Sequence, residues 1–162
     1  MALSTCYEIG QADMAFIAGA TNGILLDCTA TSHMFSKRHL FSFYQPLTNN
    51  EYVTVGRRNR VPMAGIGSVT LTMILSNGTS KLTLTDTLYI PILGTDLISL
   101  GVLHCKGALV QSWEKGLMIL KDREDLFTVV LGGSTSILYQ VQYVDVSNGS
   151  TFTAEATSSM HL

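Results

Sequence analysis

Residues 68–75 read SVTLTMIL, a stretch in which polar and apolar side chains alternate over the first six positions. Alternation with a period of two is typical of a β-strand that has one face in a core and one face in solvent. The dipeptide Asn77-Gly78 favours a tight hairpin turn, and residues 81–90 then alternate again. The sequence therefore predicts an antiparallel hairpin near the centre of the chain.

The same kind of pattern recurs on both sides of this hairpin. Short runs rich in Val, Ile, Thr, Leu and Tyr are separated by Gly, Asn or Pro, which indicates an all-β domain. One short helix is predicted over residues 95–103, where the apolar residues have helical spacing and Thr95 or Asp96 can cap the first turn. The other predicted strands cover residues 24–26, 52–55, 60–63, 108–113, 116–120, 126–131 and 137–144, and those at 52–55 and 60–63 form a hairpin.

The low charge content limits the possible partners. Asp, Glu, Lys and Arg make up 14% of the 162 residues, against roughly 25% in an ordinary soluble domain, and the net charge is −2. The hydrophobic share of 46% suffices for a packed core, and without a basic field we expect no nucleic acid and no anionic membrane as a partner. The chain has no apolar run of about 18 residues and no signal-peptide pattern, so we expect an intracellular, cytoplasmic protein.

The cysteines and histidines do not predict a metal site or a cofactor. Cys6, Cys28 and Cys105 are odd in number and form no Cys-x-x-Cys pair, which agrees with a reducing compartment. His33 and His39 lie six residues apart with no second close pair, so the spacing does not favour zinc. A thiol mechanism at Cys28 is not expected either, because no base is paired with it in the sequence.

The most specific motif lies at the end of the first predicted apolar strand. Residues 26–34 read LDCTATSHM, so that this strand ends in a carboxylate followed by small residues. The segment resembles Leu-Asp-Ser-Gly-Ala-Thr-Ser-His-Met of copia-type retrotransposon proteases, and it differs from that sequence at Cys28 and Thr29.

The resemblance continues in the same order and covers residues 23–144. Residues 53–69 are similar to the flap hairpin of the family and the strand that follows it, and residues 86–91 are similar to the segment before its psi-shaped loop. Residues 92–101 resemble the hydrophobic-hydrophobic-Gly stretch and helix of retroviral proteases, and residues 113–139 resemble the β-rich region that follows the copia protease.

The resemblance implies a retropepsin-like closed β-barrel with one short helix and a C-terminal β-meander extension. Residues 23–113 would form the barrel, and residues 114–146 would form the extension, packed on the same domain. The Ala- and Gly-rich residues 1–22 are predicted as a lead-in with an edge strand near residues 14–18, and residues 147–162 as a disordered tail.

The resemblance also implies an activity, which is that of an aspartic endopeptidase acting on a peptide or polyprotein. Each chain carries one Asp turn and the chemistry needs two carboxylates, so the implied active form is a homodimer with Asp27 as the catalytic residue of each copy. The two carboxylates would share one proton, because like charges about 3 Å apart cannot both be ionised. The ionised member would take a proton from the attacking water, and the protonated member would donate a hydrogen bond to the developing oxyanion.

Further site residues are carried over from the family by position. Cys28, Thr29, Ala30 and Thr31 would form the active turn. The arginines of the predicted hairpin tip belong either to a solvated turn or, if the hairpin is the flap, to a surface that favours acidic or polar substrate segments. The residues implied for the flap are Val55, Gly56, Arg57, Arg58, Asn59 and Arg60, and those implied to back the cleft are Ile92, Leu93 and Gly94.

The two departures from the family motif leave two alternatives open. Cys28 replaces a Ser or Thr whose hydroxyl braces the two turns across the dimer, and a thiol is a weak donor. Thr29 replaces a Gly that lets the backbone approach closely, and a positive φ would be costly for its β-branched side chain. The domain is therefore either a slow or selective protease, or a catalytically silent β-barrel used for self-association or for binding a peptide or protein.

Overall fold

A computed structural model describes residues 8–9, 23–55, 59–131, 138–145 and 150–152. Within these ranges the chain forms one sheet of thirteen strands and one α-helix. The all-β fold predicted from the sequence is confirmed, with a single short helix in the described part.

The strands vary from two to seventeen residues in length. A 3-10 helix, Arg38–Leu40, precedes the long β4. The elements are β1 Glu8–Ile9, β2 Ile24–Asp27, β3 Met34–Phe35, β4 Phe41–Val55, β5 Asn59–Leu75, β6 Gly78–Tyr89, β7 Asp96–Ser99, α1 Leu100–Cys105, β8 Leu109–Trp113, β9 Gly116–Lys121, β10 Glu124–Leu131, β11 Tyr139–Val141, β12 Tyr143–Asp145 and β13 Ser150–Phe152.

The central hairpin predicted from the alternating pattern is confirmed as β5 and β6. These strands are antiparallel and pair from Leu75 opposite Gly78 back to Gly65 opposite Tyr89. Every second side chain of β5 is buried, including Leu71 and Met73. One face of the hairpin thus enters the core, as a period of two requires.

The second predicted hairpin is confirmed as β4 and β5, with much longer strands than the pattern indicated. Val53 lies opposite Val61, and Val55 lies opposite Asn59 at the last described pair. The predicted strands at 60–63 and 68–75 are one continuous strand, because β5 pairs with β4 on one side and with β6 on the other. Residues 56–58 of the predicted tip lie outside the described residues.

The strand order does not confirm a closed retropepsin-like barrel. The path runs β1-β4-β5-β6-β3-β7-β2-β11-β10-β9-β8, and its two ends do not pair with each other. One C-terminal segment contacts both sides of this path, because β11 pairs with β2 whereas β12 pairs with β5. Gln142 lies between β11 and β12, where its N–H donates to Thr128 and its carbonyl accepts from Ile74.

The interior contains two clusters of buried apolar side chains. The larger cluster joins β2 to the C-terminal strands, so that Ile24 and Phe35 share it with Phe127 and Tyr143. The smaller cluster includes Leu25, Val53 and Leu93. Because successive residues of β2 enter different clusters, this strand is buried on both faces.

The helix predicted over residues 95–103 is partly wrong. Asp96–Ser99 is a strand, β7, and α1 begins at Leu100 with Ser99 as its N-cap. The local spacing of apolar residues permitted a helix, but Leu97 and Ile98 are buried where β7 pairs in parallel with β2. The side chain of Asp96 accepts hydrogen bonds from Ser36 and is not the cap.

Short strands lie near both ends of the described part of the chain. The edge strand predicted near residues 14–18 lies outside the described residues, and β1, at Glu8–Ile9, is parallel to β4. Residues 150–152, within the predicted disordered tail, form β13, which pairs with β12. No α-helix in the described ranges has both the length and the apolar character needed to cross a membrane.

Candidate functional site

The candidate site is built around the end of β2, where a buried strand delivers a carboxylate. Ile24, Leu25 and Leu26 are buried, and the strand lies between β7 and β11. Asp27 is the last residue of β2, is half-buried, and lies in register with Ser99 of β7. The position of Asp27 is therefore determined by the backbone pairing of β2 with its neighbouring strands.

The two oxygens of the Asp27 carboxylate have different surroundings. Oδ1 accepts the Thr29 N–H at 2.7 Å and the Thr29 hydroxyl at 2.8 Å. Oδ2 is buried, and no described residue gives it a hydrogen-bond donor. One side of the carboxylate is thus held by the turn, and the other side is left unsatisfied.

The predicted active turn, residues 28–31, follows directly. Cys28, Thr29 and Thr31 are exposed, whereas Ala30 is buried. The predicted cost of a positive φ at Thr29 does not arise, because the described non-glycine residues with positive φ are Asp86, Asp122 and Arg123. Thr29 occupies the glycine position of the family motif with an ordinary backbone, and its hydroxyl adds a second bond to Asp27.

These turn residues line a surface recess of about 420 Å³ together with α1. Gly101, Val102, Cys105 and Lys106 form the helix side of the recess. Cys28 and Cys105 are free, exposed thiols. Among the described residues, His, Cys, Asp and Glu side chains do not gather in groups of three that could hold a metal ion.

Two buried residues, Ser99 and His33, lie behind the turn, and the sequence reasoning assigned neither of them to the site. Ser99 donates its N–H to Nδ1 of His33 at 3.0 Å and its hydroxyl to the carbonyl of Ala30 at 2.5 Å. Burial, with a smaller contribution from Lys106, lowers the pKa of His33 to about 4. His33 and Ser99 are 66 residues apart, so no local pattern could have linked them.

The residues expected to back the cleft, residues 92–94, lie in the segment between β6 and β7. Ile92 is 58% exposed, whereas Leu93 is buried in the same cluster as Leu25. The strand next to β2 is β7, and its residue at the level of Asp27 is Ser99.

The residues expected to form the flap are described only in part. Asn59 and Arg60 begin β5, and the Arg60 guanidinium lies over the ring of Tyr52, with Cζ 4.5 Å from the ring centroid. Of Val55 only the backbone is described, at the end of β4, and Gly56, Arg57 and Arg58 lie outside the described residues. The described part of the hairpin thus places one of the predicted arginines, Arg60 on β5, against the neighbouring strand β4.

A second buried carboxylate lies at the other end of the β2 and β7 pair. Asp96 is 3% exposed, and its Oδ1 accepts the Ser36 N–H at 2.7 Å and the Ser36 hydroxyl at 2.8 Å. Burial raises the pKa of Asp96, and the bonds from Ser36 and the charges of Lys37 and His39 oppose this rise. The sequence reasoning considered Asp96 only as a helix cap.

The fold and site together define an all-β domain in which a buried strand presents one carboxylate in a tight turn. A comparison with protein-family models matches residues 24–108 to the Pol polyprotein, beta-barrel domain. This range is 85 of the 162 residues, and the chain belongs to that family, which indicates an origin in a retrotransposon Pol polyprotein. Searches of curated proteins and of solved structures each found no match.

Proposed function

We propose that the chain is a copia-type aspartic endopeptidase domain that acts as a homodimer, with Asp27 of each copy in a shared site. The observation that carries the proposal is the Asp27 carboxylate, anchored through Oδ1 by Thr29 and with a buried Oδ2 that lacks a donor among the described residues. Leaving such a buried acceptor unsatisfied costs about 1–3 kcal/mol, so it needs a specific explanation.

A second Asp27 provides that explanation. A proton shared between two carboxylates is a hydrogen-bond donor. Because Oδ2 is buried within the single chain, the proposal requires the turn to shift on dimerisation so that the second carboxylate can donate to Oδ2. The Oδ1 oxygens would remain held by the two Thr29 residues, which keeps both carboxylates oriented.

Under the proposal the fold of the enzyme is a retropepsin-like barrel, and one feature of the strand pairing supports this part of the proposal. The run β5-β6-β3-β7-β2 begins and ends on strands that pair with the segment 139–145, through β12 and β11 respectively. Under the proposal this segment closes the barrel within one chain, and the dimer forms across the Asp27 turns.

The proposed reaction is hydrolysis of a peptide bond. The ionised Asp27 takes a proton from water, and the oxygen of that water forms a bond to the peptide carbonyl carbon. The protonated Asp27 stabilises the developing oxyanion, a proton then moves to the amide nitrogen, and the C–N bond breaks to release a carboxylic acid and an amine. Cys28 braces the dimer more weakly than a hydroxyl would, so we expect slow turnover.

A cleavage assay with the full chain tests this activity. We expect a denatured protein substrate to be cut at pH 4–6, the cleavage to be blocked by a statine-type inhibitor, and Asp27→Asn to abolish it. Asp125→Asn is the matched control, because Asp125 is an exposed carboxylate on β10. Cleavage that survives Asp27→Asn would overturn the mechanism.

The dimer has an independent test that does not need activity. In a Cys6→Ser, Cys105→Ser variant, two Cys28 thiols near a two-fold axis should form an intermolecular disulfide when oxidised by glutathione disulfide. A Cys6→Ser, Cys28→Ser variant, which keeps Cys105, is the control. Sedimentation of the unmodified chain as a monomer at high concentration, without the Cys28 cross-link, would contradict the homodimer.

A second candidate function is a catalytically silent module that binds a protein or peptide. The observation that favours it is β8, which ends the described strand order and leaves Leu109, Val110 and Trp113 exposed. An edge strand without Pro or charged residues is open to pairing with another strand. Retained self-association together with no cleavage of any substrate would favour this module over the enzyme.

A further inference from the structure

Ser99 connects three segments behind the Asp27 turn. Its hydroxyl donates to the carbonyl of Ala30, in the turn, and accepts the Val102 N–H, at the start of α1. Its own N–H donates to Nδ1 of His33, just before β3. Ser99 is fully buried, so these bonds form away from competing water.

The bond to Ser99 also determines the protonation of His33. An acceptor at Nδ1 cannot carry a proton, so the neutral ring holds its proton on Nε2. The pKa of His33 is lowered to about 4. Burial is the main cause, the charge of Lys106 acts in the same direction, and the charge of Asp86 opposes the lowering. The cavity of about 140 Å³ beside His33 is also lined by Lys106, the cation that disfavours a charged imidazole.

We propose that Ser99 and His33 are positioning residues for Asp27. Pairing of Asp27 with β7 holds the residue just before the turn, and the Ser99 hydroxyl holds Ala30 within the turn. His33 accepts the Ser99 N–H, which fixes Ser99 in the orientation that reaches Ala30. The direction of the Asp27 carboxylate is thus set by a buried chain of hydrogen bonds running from His33 through Ser99 to the turn.

This role rests on the proposed endopeptidase function for its catalytic consequence, but the structural part can be observed without any activity. The Thr29 amide donates to Asp27 Oδ1, so its proton chemical shift reports the geometry of the turn. The nitrogen chemical shifts of the His33 ring report which of the two ring nitrogens carries the proton. Both can be followed by NMR on the isotopically labelled full chain.

Substitutions at Ser99 and His33 separate positioning from a general loss of packing. We expect Ser99→Ala to shift the Thr29 amide and to lower kcat by about 100-fold with little change in KM, because a misplaced catalytic group loses rate more than binding. Ser99→Thr and His33→Asn, which keep a hydroxyl and an acceptor, should restore the wild-type shift. Thr87→Ala is the matched control, since the buried Thr87 hydroxyl also donates to a backbone carbonyl, that of Leu84.

An acid titration gives a second readout if Ser99→Ala does not fold. In the Asp27→Asn variant, which lacks that carboxylate, the Ser99 and Thr29 amides should shift together with the His33 ring near pH 4. Protonation of Nδ1 removes the acceptor for Ser99, and the turn then loosens.

The outcomes distinguish the two proposals. If no substrate is cut but the Thr29 amide responds to Ser99→Ala and to His33 protonation, the endopeptidase proposal fails and the positioning role stands. A proton on Nδ1 of His33 at neutral pH would overturn the positioning role. The positioning role would also be overturned if Ser99→Ala had the same Thr29 amide chemical shift as the Thr87→Ala control and, where cleavage is measurable, the same kcat.

Discussion

Asp27 and Asp96 use the same local chemistry in two different settings. In each, one carboxylate oxygen accepts the N–H and the hydroxyl of a single residue, Thr29 for Asp27 and Ser36 for Asp96. They lie at opposite ends of the paired strands β2 and β7, and only Asp27 is partly exposed. Asp96 is too deeply buried to meet a substrate, so its carboxylate acts on stability. Of the two, only Asp27 has the exposure that the proposed chemistry requires.

The raised pKa of Asp96 predicts a pH-dependent contribution to stability. A folded state that holds the proton more tightly than the unfolded state is favoured at low pH, and this contribution is lost as the pH rises through the folded pKa. Asp96→Asn keeps an acceptor for Ser36 but does not titrate. We therefore expect its unfolding free energy, relative to the wild type, to increase with pH between 4 and 7 in urea denaturation.

Asp125→Asn, at an exposed carboxylate, is the control for this measurement. Its unfolding free energy relative to the wild type should not show the increase with pH expected for Asp96→Asn. A difference between Asp96→Asn and the wild type that stays constant over the whole pH range would contradict the assignment.

At the scale of elements, the two long hairpins depend on close backbone contact at a few glycines. A Cβ atom on Gly67 would lie 2.0 Å from the carbonyl oxygen of Phe43, which is backbone and cannot rotate away. Both pairings of β5 have a register shift next to this residue. In the pairing with β4 the shift lies between Phe41 and Phe43, and in the pairing with β6 it lies between Gly67 and Val69. The central strand β5 is thus irregular at Gly67, in its pairing with both β4 and β6.

This geometry predicts that Gly67→Ala destabilises the domain. We expect a loss of about 3 kcal/mol in the free energy of unfolding, because the strands must separate to admit the methyl group. Gly101→Ala is the matched control, since the nearest atom to its added Cβ lies 3.7 Å away and the position is in α1. That variant should gain about 0.5–1 kcal/mol by reducing unfolded-state freedom. Equal stability of the two variants in urea denaturation would contradict the close approach at Gly67.

At the scale of the whole molecule, the C-terminal strands share the core of the candidate site. Phe127 and Val129 of β10 belong to the same buried cluster as Ile24 of β2, and Gln140 of β11 pairs with Leu25. The family match ends at residue 108, before β8, yet the packing continues through the later strands. The part that carries Asp27 is therefore stabilised by strands beyond the matched range.

This shared core predicts that a change in β10 affects the Asp27 turn. Phe127 is fully buried, so Phe127→Ala should cost about 3–5 kcal/mol and lower the midpoint of a single cooperative transition. Leu131→Ala is the control on the same strand, because Leu131 is 46% exposed and should change stability by no more than about 0.5 kcal/mol. A separate early transition of the C-terminal strands, with the Thr29 amide signal unchanged, would show that the two parts fold independently.

The candidate site was predicted from the sequence only where its contacts are local. Asp27 was singled out by the resemblance of residues 26–34 to the copia protease motif, and its bond to Thr29 spans two residues. Ser99 lies 66 residues from His33 and 69 from Ala30, so no local spacing in the sequence predicts those hydrogen bonds. Positioning of the turn could therefore be inferred only after the segments had been brought together.

The sequence by itself determined the all-β class and the existence of the two hairpins, though not the length of their strands, because alternation and turn residues act within a few positions of each other. Only the tertiary structure decided that residues 96–99 are a strand, where the parallel pairing of β7 with β2 outweighs a local helical spacing. It also decided how the segment 139–145 is shared between β2 and β5. The physical reason is that hydrogen bonds and apolar burial between distant segments contribute free energy that local periodicity does not encode.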